Sequence, residues 1–203
     1  MEAENTWLDA TLGSCSILAI LRGFGVQRTL KLAEAAWDLG VSLVEVPIQS
    51  ESDIEALRAT VAAGRARGMS VGAGTVTDRV TVAEAKSAGA AFTVSPGLSA
   101  EIVEASLTAG MPCVPGVATA SEIQAATSMG LKWLKAFPAA RLTPAWFKDM
   151  AGPFPQVKFI ATGGVNASQA AAFLKAGASV VALGSALADP QQLQAIVPLL
   201  ARA

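Results

Sequence analysis

At 203 residues the chain is long enough to bury one substantial core and short for two average domains, so residues 1–203 read as a single domain. With 52% hydrophobic residues, 15% charged residues and 18 glycines, it is not a disordered chain, and it suits a sheet buried on both faces. Lys and Arg total 15 against 16 Asp and Glu, a net charge of -1, which leaves no basic field for nucleic acid and no polybasic run for a membrane surface.

The expected partner is therefore a small molecule. The N-terminal segment begins acidic and lacks a basic stretch followed by an apolar one, and no run of about 18 uncharged apolar residues occurs, so a soluble cytoplasmic protein is expected. Cys15 and Cys113 lie in apolar runs and read as buried, reduced thiols. The sequence has no histidine and no tyrosine. That removes Ser-His-Asp and Cys-His arrangements, His-ligated zinc and an imidazole base. Chemistry must rest on carboxylates, lysine, arginine, hydroxyls, backbone groups or a carboxylate-bound metal.

Along the chain, a short helix is expected at about residues 3–13. Eight short apolar runs follow: SILAIL (16–21), VSLVEV (41–46), SVGAG (70–74), AFTVS (91–95), PCVPG (112–116), WLKAF (133–137), VKFIAT (157–162) and SVVALG (179–184). Ala-rich stretches with helical spacing lie between them, from LKLAEAAWDLG to the final LQAIVPLLARA. Most end at a glycine placed to cap a helix in the left-handed conformation: Gly40, Gly68, Gly89, Gly110, Gly130 and Gly177. Helix starts are marked by Thr77 and Asp78, Ser99, Thr119 and Asn166, and Pro190 suits the first turn of the last helix. Strict β/α alternation in eight units predicts a (β/α)8 TIM barrel whose bottom the N-terminal helix covers. A doubly wound open sheet produces the same alternation, but no GxGxxG follows the first strand.

In such a barrel the reactive groups stand at the C-terminal ends of the strands. Ionisable residues within or just beyond the strand runs are few: Arg22, Glu45, Lys132, Lys135 and Lys158. Lys132 and Lys158 open their strands and read as solvated lysines at the bottom. Lys135 lies late in its strand, on one face with Trp133 and Phe137. Desolvation there would lower its pKa and supply a free amine for Schiff-base formation. A structural pairing with Glu45, or an outward course between helices, fits the position equally well. Glu45, set among valines, would need a partner, and facing Lys135 it would form a proton shuttle. Gly163 and Gly164 after the seventh strand, with Gly184 and Ser185 after the eighth, stand where barrels commonly bind phosphate. Thr75 ends strand three in another Gly-rich turn and offers a hydroxyl.

Together these stretches resemble the 2-keto-3-deoxy-6-phosphogluconate aldolase family, which includes the aldolases acting on the galactonate epimer. The resemblance is carried by ILAILRG, LVEVPIQS, VGAGTV, FTVSPGLS, CVPGVATASE, LKWLKAFPA, GPFPQVKFIATGGVN and VALGSAL, in order from residue 16 to 187. It implies a homotrimer of (β/α)8 barrels and a class I lyase with no metal and no cofactor, giving pyruvate and glyceraldehyde 3-phosphate from a phosphorylated keto acid. It also implies that Lys135 is the Schiff-base lysine and Glu45 the acid/base, with Thr75 and an arginine at the pyruvyl carboxylate. Pro96 falls along the substrate channel, and Gly163, Gly164, Gly184 and Ser185 at the phosphate. Gluconate-type members commonly carry an arginine after the catalytic glutamate. Here Gln49 and Ser50 stand in that segment, closer to the galactonate-type pattern, which leaves Arg22 as the carboxylate ligand. Thr162, by contrast, is the gluconate-type residue expected near the C4 hydroxyl. After KAFPA, many relatives place an acidic residue that this chain lacks. The alternatives are an aldolase for 4-hydroxy-2-oxoglutarate, a phosphate-binding barrel of another reaction class, such as an isomerase or a thiamine phosphate synthase-like transferase, and a non-catalytic trimeric module.

Overall fold

The computed structural model describes residues 1–184 and 190–200. Helix α1 (Glu2–Leu12) leads into β1 (Ile17–Ile20), α2 (Val26–Asp38), β2 (Leu43–Pro47), α3 (Glu51–Ala66), β3 (Val71–Gly74) and α4 (Arg79–Ala88). Then come β4 (Thr93–Val94), α5 (Ala100–Thr108), β5 (Cys113–Val114), β6 (Gly116–Val117), α6 (Ala120–Ser128), β7 (Trp133–Ala136) and α7 (Ala139–Ala151). The chain continues through β8 (Lys158–Thr162), α8 (Ala167–Lys175), β9 (Val180–Leu183) and α9 (Pro190–Leu200).

Neighbouring strands run β5-β4-β3-β2-β1-β9-β8-β7-β6, and every pair is parallel. The two ends of this order, β5 and β6, flank Pro115 and are one interrupted strand, so the sheet closes into an eight-stranded TIM barrel. Proline has no N–H to give to the ladder, which breaks the strand there. Its carbonyl still accepts from the Lys135 N–H at 2.9 Å.

Alternation sorts the side chains into two cores. Leu18, Ile20, Leu43, Phe92, Val94, Val114, Trp133, Ile160, Val180 and Ala182 fill the barrel. Their neighbours, among them Ala19, Val44, Val46, Leu134, Ala136 and Val181, face the helices. As the sequence leads one to expect, α1 plugs the end where the strands begin: Leu8 and Leu12 join the interior cluster. The Asp9 carboxylate accepts from Trp133 Nε1 at 2.7 Å and from Lys158 Nζ at 2.8 Å. Lys158 is thus not freely solvated but tied to α1, while Lys132 is exposed.

The cap signals read from sequence hold in detail. Asp78, Thr119 and Asn166 each close a capping box, while Ser99 is an N-cap without a side-chain bond. All six glycines expected after helices have positive φ. Two features differ. Cys15, expected buried, is only half-buried beside Ser42, because it precedes β1 at the α1 end; Cys113 is buried, and both thiols are free. α7 carries no helical signal in the sequence, because Thr143 (φ 64°, ψ 163°) breaks it into two pieces and Pro144 opens the second.

Candidate active site

β2 and β7 lie four strands apart in either direction around the ring, so they face each other across the barrel. Glu45 shares the inward face of β2 with Leu43, and Lys135 shares that of β7 with Trp133. The two ionisable groups therefore oppose each other inside the barrel, 2% and 3% exposed. No ion pair within 4.0 Å joins them. The direct structural pair that the sequence left open is not the arrangement found.

Glu45 lies over the backbone of β3. A Cβ at Gly74 would stand 1.9 Å from Glu45 Oε1, so only glycine leaves room for the carboxylate. That oxygen is buried without a hydrogen-bond partner among the described residues. Burying a carboxylate without partners costs several kcal/mol, roughly 2 or more even for a neutral polar group, so such groups are retained where chemistry requires them. Burial pushes the Glu45 pKa up, against the pull of the Lys135 and Arg22 charges. Burial likewise holds Lys135 below the ordinary lysine range, with Glu45 opposing and Arg22 adding to the effect. Burial thus shifts Lys135 toward the free amine and Glu45 toward the protonated acid. Perturbed groups of this kind in a cleft mark candidate reactive sites.

Above the pair opens a cavity of about 750 Å³ at the C-terminal ends of the strands. Arg22, Thr75, Pro96, Lys135, Thr162, Gly163, Gly164 and Gly184 all line it. Of the residues singled out in the sequence, Glu45 is not part of this lining, and Ser185 falls outside the described residues. Thr75 adopts φ 59°, a left-handed conformation that strains a β-branched residue by about 1–3 kcal/mol and points to a functional constraint. The Thr162 hydroxyl is buried and donates to the Ile160 carbonyl at 3.3 Å, which leaves its oxygen free to accept. Gly163 and Gly164 turn the chain with φ of 98° and 72° against Phe137, Pro138 and Ala140, and α8 begins just beyond. A glycine turn at the N-terminus of a helix makes that corner suited to an anion.

Several lining residues were not picked out from sequence. Phe137 follows Lys135 by one period-two step and puts its ring centroid 4.9 Å from Nζ, a signal the spacing did carry. Asn166 lines the cavity as well as capping α8, and Gln192 reaches it from α9, with its Oε1 accepting from the Ala167 N–H at 3.5 Å. No local pattern distinguishes Gln192. Among the described residues no cluster of three or more Cys, Asp or Glu could hold a metal, and no helix is long and apolar enough to cross a membrane.

The family model described as KDPG and KHG aldolase matches residues 8–196. The KHG/KDPG aldolase of Escherichia coli (strain K12) is 34% identical over 196 residues, covering 96% of this chain and 91% of that protein. The native KDPGal structure superposes with a TM-score of 0.82 at 30% identity, covering 90% of this chain and 92% of that one. The KDPG aldolase of Legionella pneumophila, with pyruvate captured at low pH as a covalent carbinolamine intermediate, gives a TM-score of 0.80 at 29% identity, covering 94% of each chain.

Proposed function

The chain belongs to the KDPG and KHG aldolase family, whose curated relatives are carbon–carbon lyases, and on that premise we propose that it cleaves 2-keto-3-deoxy-6-phosphogluconate, its galactonate epimer or both through a Schiff base on Lys135. The observation that carries this reading is the opposed, buried Lys135 and Glu45 at the base of a cavity with a glycine-rich rim.

The uncharged Lys135 amine attacks the C2 ketone to give a carbinolamine. Protonated Glu45 gives its proton to the departing hydroxyl, water leaves and a protonated imine forms. The Glu45 carboxylate then takes the proton of the C4 hydroxyl, and the C3–C4 bond breaks, its electron pair moving into the imine to give an enamine. Glyceraldehyde 3-phosphate leaves, C3 takes the proton that Glu45 now carries, and hydrolysis of the protonated pyruvyl imine returns the free lysine and pyruvate and gives Glu45 back its proton. Arg22 and Thr75 hold the pyruvyl carboxylate, Pro96 flanks the channel, Thr162 meets the C4 hydroxyl, and Gly163, Gly164, Gly184 and Ser185 cradle the phosphate with the start of α8. The carbinolamine captured in the Legionella pneumophila relative supports the first of these steps.

The test is pyruvate release from each of the two 6-phosphates and from 4-hydroxy-2-oxoglutarate. Faster cleavage of a phosphorylated substrate supports the phosphate corner, and faster cleavage of the unphosphorylated acid would overturn it. Thr162→Val should shift the ratio of rates toward the galactonate epimer by about tenfold, the scale of one polar contact, and an unchanged ratio would remove Thr162 from the C4 hydroxyl. The same reading makes the protein a homotrimer, so sedimentation should show a species near three times 20.6 kDa, and a monomer would refute that part.

A further inference from the structure

Gln49 lies outside the cavity lining, yet its side chain is directed at one lining residue: Gln49 Oε1 accepts a hydrogen bond from Arg22 Nη1. Both residues are exposed, and a long exposed arginine would otherwise sample many rotamers. The Gln49 backbone, in contrast, is fixed from two sides. Ile48, buried in the outer core, donates its N–H to the Gly74 carbonyl at 2.9 Å. The Asp53 carboxylate accepts from the Gln49 N–H at 3.2 Å and from the Ser50 hydroxyl at 2.8 Å, and Ser50 Oγ accepts from the Asp53 N–H at 3.2 Å, the N-cap of α3. The anchor is thus built on the junction of β2 and α3, the strand that carries Glu45.

We infer that Gln49 is a positioning residue that holds the Arg22 guanidinium over the cavity through a neutral acceptor, ready for the carboxylate of the keto acid. This rests on the reading of Arg22 as the carboxylate ligand. The neutrality of the anchor is the physical point. A carboxylate at position 49 would hold the guanidinium as firmly but cancel the charge the substrate needs, whereas an amide oxygen orients the fork and leaves its charge intact. Fixing the side chain beforehand also lowers the ordering cost at binding.

The experiment is borohydride trapping of the full chain with pyruvate as the probe, followed by mass as a function of pyruvate concentration. Gln49→Met should raise the half-saturating pyruvate concentration about tenfold, with the limiting trapping rate within about twofold of the native value. Gln49→Glu should raise it further, and the melting temperature of both variants should match that of the parent because position 49 is exposed. In Arg22→Met, adding Gln49→Met should change nothing more, since the two act through one contact. An unchanged half-saturation in Gln49→Met, a tighter one in Gln49→Glu, or additive effects in the double variant would overturn the inference while adducts on Lys135 left the aldolase reading standing. No pyruvate adduct in the parent chain would instead remove the reading on which the inference rests.

Discussion

Gly74 and Glu45 are matched by exclusion: the Glu45 carboxylate occupies the space that a side chain at position 74 would fill, with Oε1 1.9 Å from where a Cβ would be. The carboxylate is therefore placed by a residue that contributes no atoms to the chemistry. Gly74→Ala should push Glu45 off its position opposite Lys135. Misplacement on the scale of 1 Å costs about 10²-fold in rate, so kcat should fall by about that factor. Overpacking should cost about 1–3 kcal/mol in urea denaturation, and an active, unshifted Ala variant would show that Glu45 has room elsewhere.

The two buried groups should leave opposite marks on stability as a function of pH. Lys135 is held below its ordinary value, so between its folded value and the unfolded one near about 10.4 the unfolded chain binds more protons, and stability rises with pH. The destabilisation is complete below that window, so the pH-dependent gain from Lys135→Met should be full at low pH and fade as pH rises through it. Glu45 is raised, so between about 4.3 and its folded value the native chain binds more protons, and stability falls as pH rises. The gain from Glu45→Gln should accordingly appear as pH rises through that range and persist above it. Urea denaturation of both variants across pH measures the two slopes, and slopes of the same sign would contradict the assignment.

The ends of the barrel should separate stability from activity. At the α1 end, Asp9 satisfies the buried indole N–H of Trp133 as well as pairing with Lys158. Asp9→Ala strands that donor and should cost about 1–3 kcal/mol of stability while leaving kcat within about twofold of the native value. A large loss of kcat without a loss of stability would mean that the two ends are coupled.

Much of this was legible in the sequence because local physics fixes it. The apolar runs, the six capping glycines and the capping residues mark strand and helix boundaries one by one, and Lys135 and Glu45 are conspicuous as ionisable residues inside strands. Their opposition was legible only as a condition, since it follows from closure of the ring and not from either segment. α7 escaped because its defining event is a non-helical Thr143 before Pro144, which interrupts the periodicity that reveals a helix. The strand broken at Pro115 reads as continuous because its break is a missing N–H and not a change in hydrophobicity. Gln49 stood out as a departure from the gluconate-type pattern, but its hydrogen bond to Arg22 joins the segment after β2 to the end of β1, a contact that only the folded barrel creates.

On the proposed mechanism, Lys135 is the amine that bonds to the substrate. The most direct measurement is incubation with pyruvate, reduction with borohydride and peptide mass mapping. A pyruvyl adduct on Lys135, lost in Lys135→Met and formed about 10²-fold or more slowly in Glu45→Gln, is the predicted result. An adduct on another lysine, or none at all, would contradict it.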